Sequence, residues 1–537
     1  MSNEIRLAAC LTAILLVATS IVMTSSEIFT SSLKVERMIM EEEKLLQEFK
    51  RYIDYQYDRL KMFSNFYADR LRDVRMRANP EIVNDLQHPN AVYNVIKRFA
   101  SDYANVLGEN YESFRQVVQS SFGQFLADVN DVRGARLSLL RLQSVYNMKA
   151  LDMARGDYLG FQGPPLAPLD AFEIGQTAFT EGKLNLSIDW LNASLALFAS
   201  TELQHLVNPV YRPTDGGIKA LMGRAYLFNG QVHEAEALYD EAKLLDPNHG
   251  DVGELERELR SQPRLQSIPH VDYFQNFSRL CSLENRHYPA EPNNPKIVCR
   301  YREAVLPYYR FKEEILSLAP FASVIYNVVS DQESDHLKNF VKNRLERGKV
   351  GGDNSTVSEI RTSDLAWIWD NESQLARSMA KRIECITGLD TSQRLPDGPS
   401  SGEAFQVVNY GLGGHYEVHM DPFDEPPKQA ELKDSGERIA TFLIYLSDVQ
   451  RGGSTVFTRA GISVAPMKNM ALMWYNYDPA HQRDDLTHHA GCPVLIGQKW
   501  ICNKWIWTYG NTFRRRCGLT PGATQLEIEP DMKRGYL

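Results

Sequence analysis

The sequence lacks an excess of basic charge. Its 537 residues carry 59 lysines and arginines against 68 aspartates and glutamates, which gives a formal net charge of -9 at pH 7. Nucleic-acid binding needs a positive field that attracts phosphates, so this balance argues against DNA or RNA as a partner. With 43% hydrophobic and 24% charged residues, the chain is an ordinary globular protein, and its length predicts about three or four domains.

Long hydrophobic runs are also missing, except near the start. Residues 7–23 are uncharged and mostly apolar, and small polar residues follow them. This pattern is typical of a secretory signal peptide, which we predict over residues 1–25 with cleavage near Ser25. A retained anchor is the alternative, because a run of this length reaches the short end of the membrane-spanning range. We expect the mature protein in the secretory lumen.

Cysteine is scarce, and one of the seven cysteines, Cys10, lies inside the predicted signal peptide. The six that remain are an even number in an oxidising compartment, which favours disulfides. They form two near pairs and two isolated residues: Cys281 with Cys299, Cys492 with Cys517, and Cys385 and Cys502, which are either a third pair or two buried thiols.

Proline and glycine are absent from residues 33–75, where apolar residues recur at a strict seven-residue interval. This stripe consists of Ile39, Leu46, Ile53, Leu60 and Tyr67. It predicts a long helix with a coiled-coil seam. The alternative is a helix that packs within its own domain, since the second heptad row is too polar to form a zipper alone. We predict that the helical region over residues 26–162 self-associates.

A segment with helical-repeat character follows the boundary sequence GFQGPPLAP at residues 160–168. Gly175 and Gly182 are seven apart, as are Gly223 and Gly230, and such spacing suggests a tetratricopeptide unit of about 34 residues. Stacked units form a concave surface that binds extended peptide. Residues 163–260 are therefore predicted to be a peptide-substrate-binding domain, with a purely structural helical spacer as the alternative.

The remainder of the chain turns from polar to strand-rich. Residues 261–320 contain two cysteines and are predicted to be a disulfide-containing linker. A further domain is predicted over residues 321–537, with two helical segments near 331–347 and 372–388. Short apolar strands with glycine turns indicate an antiparallel sandwich or barrel, whose core spans about 401–511.

The segment HYEVHMD at residues 415–421 suggests part of a metal site. Side chains two apart on a strand share a face, so His419 and Asp421 point the same way. A third ligand is expected from LTHHAGCP, where only one of His488 and His489 can face the interior. Two imidazoles and one carboxylate are typical of non-haem Fe(II) oxygenases. Zinc hydrolases use similar ligands, but their usual H-E-x-x-H motif does not occur in the sequence.

Lys499 suggests what occupies the open metal positions. It lies ten residues beyond His489, at the start of a predicted strand. A lysine on the interior face of a barrel is costly to bury unless an anion pairs with it. A dicarboxylate cosubstrate would chelate iron with one end and reach Lys499 with the other. The alternatives are that Lys499 lies on the solvated face and that His419 only satisfies a hydrogen bond in the core.

Four segments together resemble the catalytic domain of collagen prolyl 4-hydroxylase alpha subunits, a 2-oxoglutarate- and Fe(II)-dependent dioxygenase family: NYGLGGHYEVHMD, RIATFLIYLSDVQRGGSTVF, HHAGCPVLIGQKWICNKW and FRRRCGLT. The helical N-terminal region, the LRLQSVYNM stretch and the repeat segment occur in the same order, so the resemblance covers nearly the whole mature chain. It implies a multidomain α plus β fold. Its parts are a helical N-terminal dimerisation region, a tetratricopeptide-like peptide-binding domain and a C-terminal double-stranded β-helix, or jelly roll.

The resemblance also assigns roles to residues. His419, Asp421 and His489 match the family's iron ligands, and His489 is preferred to its neighbour because the family's histidine directly precedes the alanine of the string that ends in C-P-V. Lys499 matches the lysine that binds the distal carboxylate of 2-oxoglutarate. Tyr410 lies where related oxygenases place a tyrosine near the cosubstrate.

The reaction and the partners follow from the same resemblance. It implies a procollagen-proline 4-dioxygenase that hydroxylates peptidyl proline at C4 in X-Pro-Gly-type sequences of collagen-like peptides, with Fe(II), 2-oxoglutarate, dioxygen and ascorbate. Protein disulfide isomerase is the expected beta subunit, in an assembly of two alpha and two beta chains in the endoplasmic reticulum lumen. The pairs Cys281–Cys299 and Cys492–Cys517 correspond to the family's two disulfides.

Two departures from the family keep alternatives open. The family's peptide groove carries several tyrosines, whereas this sequence offers Phe179 and Tyr226, with Leu227 and Arg224 nearby. The spacer after Asp421 also differs and reads PFDEPPKQAELKDSGER. The alternatives are a secretory-pathway 2-oxoglutarate oxygenase that acts on another peptidyl residue, and an inactive collagen-binding chaperone. The chaperone would show a broken ligand set, which this sequence does not.

Overall fold

A computed structural model describes most of the chain. The described residues are 32–77, 87–108, 111–122, 127–200, 212–261, 272–284, 286–350, 356–357, 360–393, 399–423, 435–520, 522–525 and 527–528. The predicted signal peptide and most of the spacer after Asp421 lie outside them. The chain divides into two compact units, one of Met1–Val83, Lys97–Val129 and His205–Pro213, the other of Asn84–Ile96, Asn130–Gln204 and Thr214–Leu537.

The N-terminal region is helical, as predicted, with α1 (Ser32–Arg77), α2 (Pro89–Lys97), α3 (Tyr103–Leu107) and α4 (Tyr111–Phe122). Helix α1 runs without a break because no proline or glycine interrupts it. Arg59 of α1 donates a hydrogen bond to the Leu107 carbonyl at the end of α3, at 2.8 Å. All five residues of the heptad stripe are 45% to 66% exposed in the single chain, so the described part of the unit leaves the stripe open to a partner.

A layer of helices follows, and its members are α5 (Val129–Tyr146), α6 (Ala150–Ala154), α7 (Pro168–Thr180), α8 (Leu184–Ala199), α9 (Asp215–Phe228), α10 (Val232–Leu245), α11 (Gly250–Ser261) and α12 (Asp272–Cys281). A short hairpin, β1 (Asp157–Tyr158) and β2 (Phe161–Gln162), separates α6 from α7. Helices α7 and α8 pack together, as do α9 and α10. A Cβ added at Gly223 would lie 2.7 Å from Leu255 of α11, which is why the repeat pattern needs a small residue there.

The C-terminal region contains most of the strands: β3 (Cys299–Glu303), β4 (Arg310–Leu318), β5 (Phe321–Tyr326), β6 (Glu346–Arg347), β7 (Lys349–Val350), β8 (Thr356–Val357), β9 (Asp364–Ile368), β10 (Phe405–Tyr410), β11 (Tyr416–His419), β12 (Arg438–Tyr445), β13 (Val449–Gly452), β14 (Thr455–Phe457), β15 (Ile462–Val464), β16 (Ala471–Tyr475), β17 (His489–Gly491), β18 (Val494–Gly497) and β19 (Lys499–Trp507). The two predicted helical segments are α13 (Asp331–Val341) and α14 (Gln374–Thr387). Each begins after a serine whose hydroxyl accepts a backbone hydrogen bond.

The strands form the jelly roll that the resemblance implied. Nine of them make the major sheet, in the order β3-β4-β5-β16-β12-β19-β10-β9-β6, and a minor sheet has the order β11-β17-β14-β15. One apolar core lies on the side of the major sheet that α13 and α14 cover, and a second lies on its other side with residues of β14 and β15. Every helix among the described residues is too short or too polar to span a bilayer.

The predicted disulfide pairs are wrong. Cys281 pairs with Cys492, while Cys299 and Cys517 are exposed free thiols. The reason is spatial, because α12, which ends at Cys281, packs against β14 and β15 of the minor sheet, close to where Cys492 follows β17. Cys299 instead begins β3, at the edge of the major sheet. Cys385 and Cys502 are also free, so they do not form a third pair; Cys502 is a buried thiol as predicted, whereas Cys385 is only partly buried.

Candidate active site

Two neighbouring strands of the minor sheet hold the proposed ligands together. His419, the last residue of β11, pairs directly with His489, the first residue of β17. Asp421 follows just after β11. The Nε2 atoms of His419 and His489 lie 3.8 and 3.7 Å from the same carboxylate oxygen, Oδ1 of Asp421. Two imidazoles and one carboxylate, with their ligand atoms within 4.8 Å of one another, can hold one metal ion.

Backbone carbonyls fix the orientation of both imidazoles. Nδ1 of His419 donates to the Glu417 carbonyl at 2.8 Å, and Nδ1 of His489 donates to the Thr487 carbonyl at 2.9 Å. Since a carbonyl can only accept, each ring carries its proton on Nδ1 and leaves the lone pair of Nε2 free. Metal-binding histidines are usually held in this way.

A chain of hydrogen bonds fixes the carboxylate. The Thr441 hydroxyl donates to Oδ2 of Asp421. Thr441 Oγ1 in turn accepts from Asn476 at 3.1 Å, and Asn476 accepts from the Trp474 indole at 2.8 Å. Because Oδ2 is engaged, Oδ1 is the oxygen left to face the two histidines.

The electrostatics of the site favour metal-binding protonation states. Burial, helped by the neighbouring His489, lowers the pKa of His419 to about 3, so this imidazole is neutral at physiological pH. Burial alone would raise the pKa of Asp421, but His489, His419, Arg438 and the Thr441 hydroxyl outweigh it and hold the pKa below its ordinary value. A neutral imidazole and an ionised carboxylate are the forms that bind a cation.

Aromatic rings surround the histidines. The Tyr416 ring stacks on His419 with centroids 3.7 Å apart, and the Trp474 ring meets the edge of His489 at 4.8 Å. These contacts restrict the orientation of both imidazoles further.

Lys499 lies in the same pocket as the three ligands. It is only 2% exposed, so the alternative of a solvated lysine does not hold. Its Nζ lies 5.4 Å from the centroid of the Tyr410 ring and 5.8 Å from that of Tyr445. Burial lowers the pKa of Lys499 to about 7, and no carboxylate among the described residues pairs with it. A buried ammonium group without a carboxylate partner is stabilised when an anionic ligand binds beside it.

The pocket combines the three ligands with a buried cation. Its walls include His419, Asp421 and His489 together with Lys499 and Tyr410. A cation at one side and a buried ammonium at the other suit a ligand with a chelating end and a carboxylate end, so the residues present fit Fe(II) and 2-oxoglutarate.

Comparison with known proteins gives the family. Residues 31–160 match the model of the prolyl 4-hydroxylase alpha-subunit N-terminal region, and residues 405–507 match that of the 2OG-Fe(II) oxygenase superfamily. The human prolyl 4-hydroxylase subunit alpha-3 is 30% identical over 532 residues, which cover 92% of this chain and 94% of that subunit. The chain belongs to the prolyl 4-hydroxylase alpha-subunit family. It is accordingly a 2-oxoglutarate- and Fe(II)-dependent dioxygenase.

Two further relatives of this prolyl 4-hydroxylase family member extend the comparison. The human prolyl 4-hydroxylase subunit alpha-1 is 31% identical over 531 residues, which cover 92% of this chain and 96% of that subunit. Among solved structures, a viral collagen prolyl hydroxylase from Paramecium bursaria Chlorella virus-1, in complex with 2-oxoglutarate, is 25% identical. That match covers 35% of this chain and 95% of the viral chain, with a TM-score of 0.27.

Sequence reasoning on this prolyl 4-hydroxylase family member missed several residues of the site. Arg438, partly buried at the start of β12, donates to the Asp421 carbonyl at 3.1 Å and pairs with Glu403, with one contact at 2.8 Å. Arg361 donates to Gln406 at 2.9 Å. The sequence carries a signal for Arg438, because this arginine stands next to an otherwise apolar run of a strand. A charged side chain in that position needs a buried partner.

The structure separates the two adjacent histidines. His489 lies in the ligand cluster, whereas His488 is outside it and its Nδ1 donates to the Asp485 carbonyl at 2.7 Å. His415 forms a hydrogen bond with the Thr362 hydroxyl at 2.7 Å and also lies outside the ligand cluster found among the described residues. His488 ends a short 3-10 turn over Asp485–Thr487 and His489 begins β17, so only the second of the adjacent pair is placed by the strand that carries the ligand.

Proposed function

We propose that this chain is the catalytic alpha subunit of a procollagen-proline 4-dioxygenase, which hydroxylates peptidyl proline at C4 in X-Pro-Gly-type sequences. The observation that carries the proposal is the buried Lys499, placed in one pocket with His419, Asp421 and His489. This arrangement favours an oxygenase site, whose cosubstrate has two carboxylate groups, over a simple hydrolytic metal site. A hydrolytic site does not require a buried ammonium group beside the metal.

Each residue of the site has a separate proposed role. His419 and His489 would bind the iron through Nε2, Asp421 through Oδ1, and Lys499 would bind the distal carboxylate of 2-oxoglutarate. Tyr410 would pack beside that carboxylate. When bound, Fe(II) and 2-oxoglutarate activate dioxygen and supply the oxidising equivalents for hydroxylation. Ascorbate would keep the iron reduced between cycles.

The protein also orients the substrate and limits access of water. Tyr416 and Trp505 line the pocket beside the ligands. Their flat faces suit a proline ring, because polyproline II segments dock on aromatic surfaces. Arg438 lies over the Trp505 ring at 4.1 Å and is already neutralised by Glu403, so it stiffens this wall of the pocket. Holding the proline against fixed walls favours attack at one ring carbon.

The helical repeat is the proposed peptide-binding domain. Its surface differs from a tyrosine-lined groove, because Arg224 lies over the Phe179 ring at 5.1 Å and is held by Glu258 at 2.8 Å. Leu227 is buried and Tyr226 packs against the repeat core, so these two contribute to the fold of the repeat. We infer that a proline-rich peptide contacts a charged as well as an aromatic surface here.

The assembly and its location are part of the proposal. We propose protein disulfide isomerase as the beta subunit, in an assembly of two alpha and two beta chains in the endoplasmic reticulum lumen. The exposed heptad stripe of α1 supports self-association of the alpha chain. The alpha-subunit relatives support the beta partner by analogy.

Mass spectrometry of a (Pro-Pro-Gly) repeat peptide tests the proposed reaction. The full chain, co-expressed with protein disulfide isomerase, is incubated with the peptide, Fe(II), 2-oxoglutarate and ascorbate. We expect one added oxygen on the proline that precedes glycine. His489→Ala should abolish the product, while His488→Ala, a change in the adjacent histidine outside the cluster, should leave it nearly unchanged.

Two outcomes would contradict the proposal. Activity that survives His489→Ala in folded protein would remove this residue from the iron site. Slow 2-oxoglutarate turnover without any oxidised proline would point to a different peptidyl residue as the substrate.

A further inference from the structure

Four N-x-S/T sequons lie in the described part of the chain, at Asn185, Asn192, Asn276 and Asn371, and a fifth, at Asn354, lies outside it. In a protein of the secretory pathway such a tripeptide is the acceptor for an N-linked glycan, and its usual place is a surface loop. The first two sequons lie within helix α8 and the third within α12. Asn371 lies in the turn between β9 and α14, so it alone among the described sequons has this setting.

The other polar groups of this turn hold its shape. The backbone nitrogen of Trp369 donates to the Glu372 carboxylate at 2.8 Å, and that of Asp370 donates to a glutamine side chain at 2.8 Å. Ser373 caps α14, because its hydroxyl accepts from a backbone nitrogen in the first turn of the helix at 3.3 Å. The turn is therefore fixed by the neighbours of Asn371.

Asn371 itself contributes no such contact. It is exposed, and its side-chain amide has no hydrogen-bond partner among the described residues. An exposed amide of this kind can carry a large polar substituent in solvent without the loss of a contact that the fold needs. The rigid turn would hold that substituent at one place on the surface.

Asn276 is the opposite case. Its Nδ2 donates to the Thr458 carbonyl at 2.6 Å, and its Oδ1 accepts from Arg279 at 3.0 Å. It is partly buried on α12, the helix that packs against β14 and β15. A sugar on Nδ2 would crowd the contact between this helix and the minor sheet, so the fold disfavours a glycan there.

We propose that Asn371 carries an N-linked glycan and that Asn276 does not. The donor is an oligosaccharide on a polyprenyl pyrophosphate. Nδ2 of Asn371 loses one proton and forms a bond to C1 of the first N-acetylglucosamine, while the bond from C1 to the pyrophosphate oxygen breaks and the lipid pyrophosphate leaves with its electron pair. The proposal rests on the proposed location in the endoplasmic reticulum lumen and not on the proposed reaction.

Site mapping of the full chain tests the proposal. The chain is co-expressed with protein disulfide isomerase in cultured animal cells and purified as the complex. Peptide N-glycosidase in heavy-oxygen water converts each glycosylated asparagine into a labelled aspartate, which mass spectrometry then locates. We expect the label at Asn371 and none at Asn276.

Three variants check the assignment. Asn371→Gln should remove one glycan, so the chain should migrate faster than the unmodified chain before deglycosylation and equally after it. Ser373→Thr is the matched variant, because threonine keeps both the sequon and the helix cap, and it should retain the glycan. Asn276→Gln should leave the migration unchanged.

An unlabelled Asn371 would overturn the proposal, and so would a label at Asn276 in the folded complex. Protease treatment of intact microsomes separates two causes of an unlabelled Asn371. A protected chain has entered the lumen, so only the glycan is absent, whereas a digested chain contradicts the proposed location as well.

Proline hydroxylation is measured separately on the same variants. Asn371 does not line the pocket with Lys499, so Asn371→Gln should hydroxylate a proline peptide as well as the unmodified chain does. Failure of the glycan proposal is therefore distinguishable from failure of the proposed function.

Discussion

Lys499 is the residue whose surroundings most need an explanation. The interior of a β-barrel disfavours a charged group, and burial lowers the pKa of Lys499 to about 7. A bound carboxylate reverses this effect because it stabilises the ammonium form. Binding of 2-oxoglutarate should therefore take up a proton whenever the free site is partly deprotonated.

This linkage predicts a pH dependence of cosubstrate binding. The protonated amine is the form that binds, so affinity should be highest below pH 7 and should fall as the pH rises above 7. If the free pKa is 7, the dissociation constant for 2-oxoglutarate should rise by about 50-fold between pH 7 and pH 9. Calorimetry at several pH values, with iron present and dioxygen excluded, measures this dependence.

Lys499→Arg is the matched control, since its guanidinium stays charged over the whole range. Its affinity should be lower at pH 7 but nearly independent of pH. A flat profile for the unmodified chain would show that Lys499 does not pair with the cosubstrate.

Thr441 offers a second test at the scale of one residue. Its hydroxyl holds the carboxylate of Asp421, and loss of such a partner typically costs about 10–100-fold in metal affinity. Thr441→Val keeps the shape of the side chain and should weaken Fe(II) binding by about that factor, with activity restored by excess Fe(II). Competition dialysis measures the iron affinity.

Thr387→Val is the control for Thr441→Val. It also removes a buried hydroxyl, but that hydroxyl bonds only backbone groups around the end of α14. Equal iron affinity in Thr441→Val and Thr387→Val would mean that the hydroxyl of Thr441 does not position Asp421.

Among the helices, α5 has a role that its sequence did not reveal. Its Gln143 donates to Asp189 at 2.7 Å and accepts from Trp190 at 2.8 Å, both in α8. Three residues later, the Tyr146 hydroxyl donates to the Pro493 carbonyl, just beyond β17. One helix therefore contacts both the helical repeat and the loop behind a proposed iron ligand.

The exposed heptad stripe on helix α1 predicts how two alpha chains associate. Leu46→Glu combined with Leu60→Glu places charge on the seam and should halve the mass of the assembly, because two alpha chains would no longer associate. Light scattering of the chain purified with its beta partner measures this mass. Tyr57→Glu is the control, since Tyr57 is 72% exposed on the same helix but lies outside the stripe. Loss of association in the control, or its survival in the double variant, would contradict the assigned seam.

At the scale of the whole molecule, the disulfide ties distant parts of the chain together. The bridge between Cys281 and Cys492 spans 211 residues of sequence and joins the end of α12 to the loop after β17. Peptide mapping without reduction should recover this cross-link. Recovery of Cys281–Cys299 and Cys492–Cys517 instead would favour the pairing expected from the sequence.

The thermal stability of cysteine variants should also depend on which cysteines are paired. Removal of a native disulfide typically costs about 2–5 kcal/mol, so Cys281→Ser should lower the thermal midpoint clearly. Cys299→Ser removes an exposed free thiol and should change it little. A larger loss in Cys299→Ser would indicate that Cys299 is bonded.

The sequence predicts local features better than distant pairings. The strand pattern and the H-x-D motif predict that His419 and Asp421 lie close together, as they do in the structure, because this proximity depends on neighbours along the chain. The disulfide and the contact between Arg438 and Glu403 join residues that are separate in sequence, and nothing in their spacing specifies which partner each one meets. Lys499 lies between these two cases. The sequence predicts that a buried lysine needs an anion-binding pocket, but only the fold shows which residues form that pocket.

The most direct test of the whole account is to measure succinate and 4-hydroxyproline in the same reaction of the full chain with its beta partner and a proline-rich peptide. We predict nearly equal amounts of the two products, and loss of both in Asp421→Ala with the fold retained, as judged by circular dichroism. Hydroxyproline formed by folded Asp421→Ala would contradict the account, and so would succinate formed by the unmodified chain without hydroxyproline.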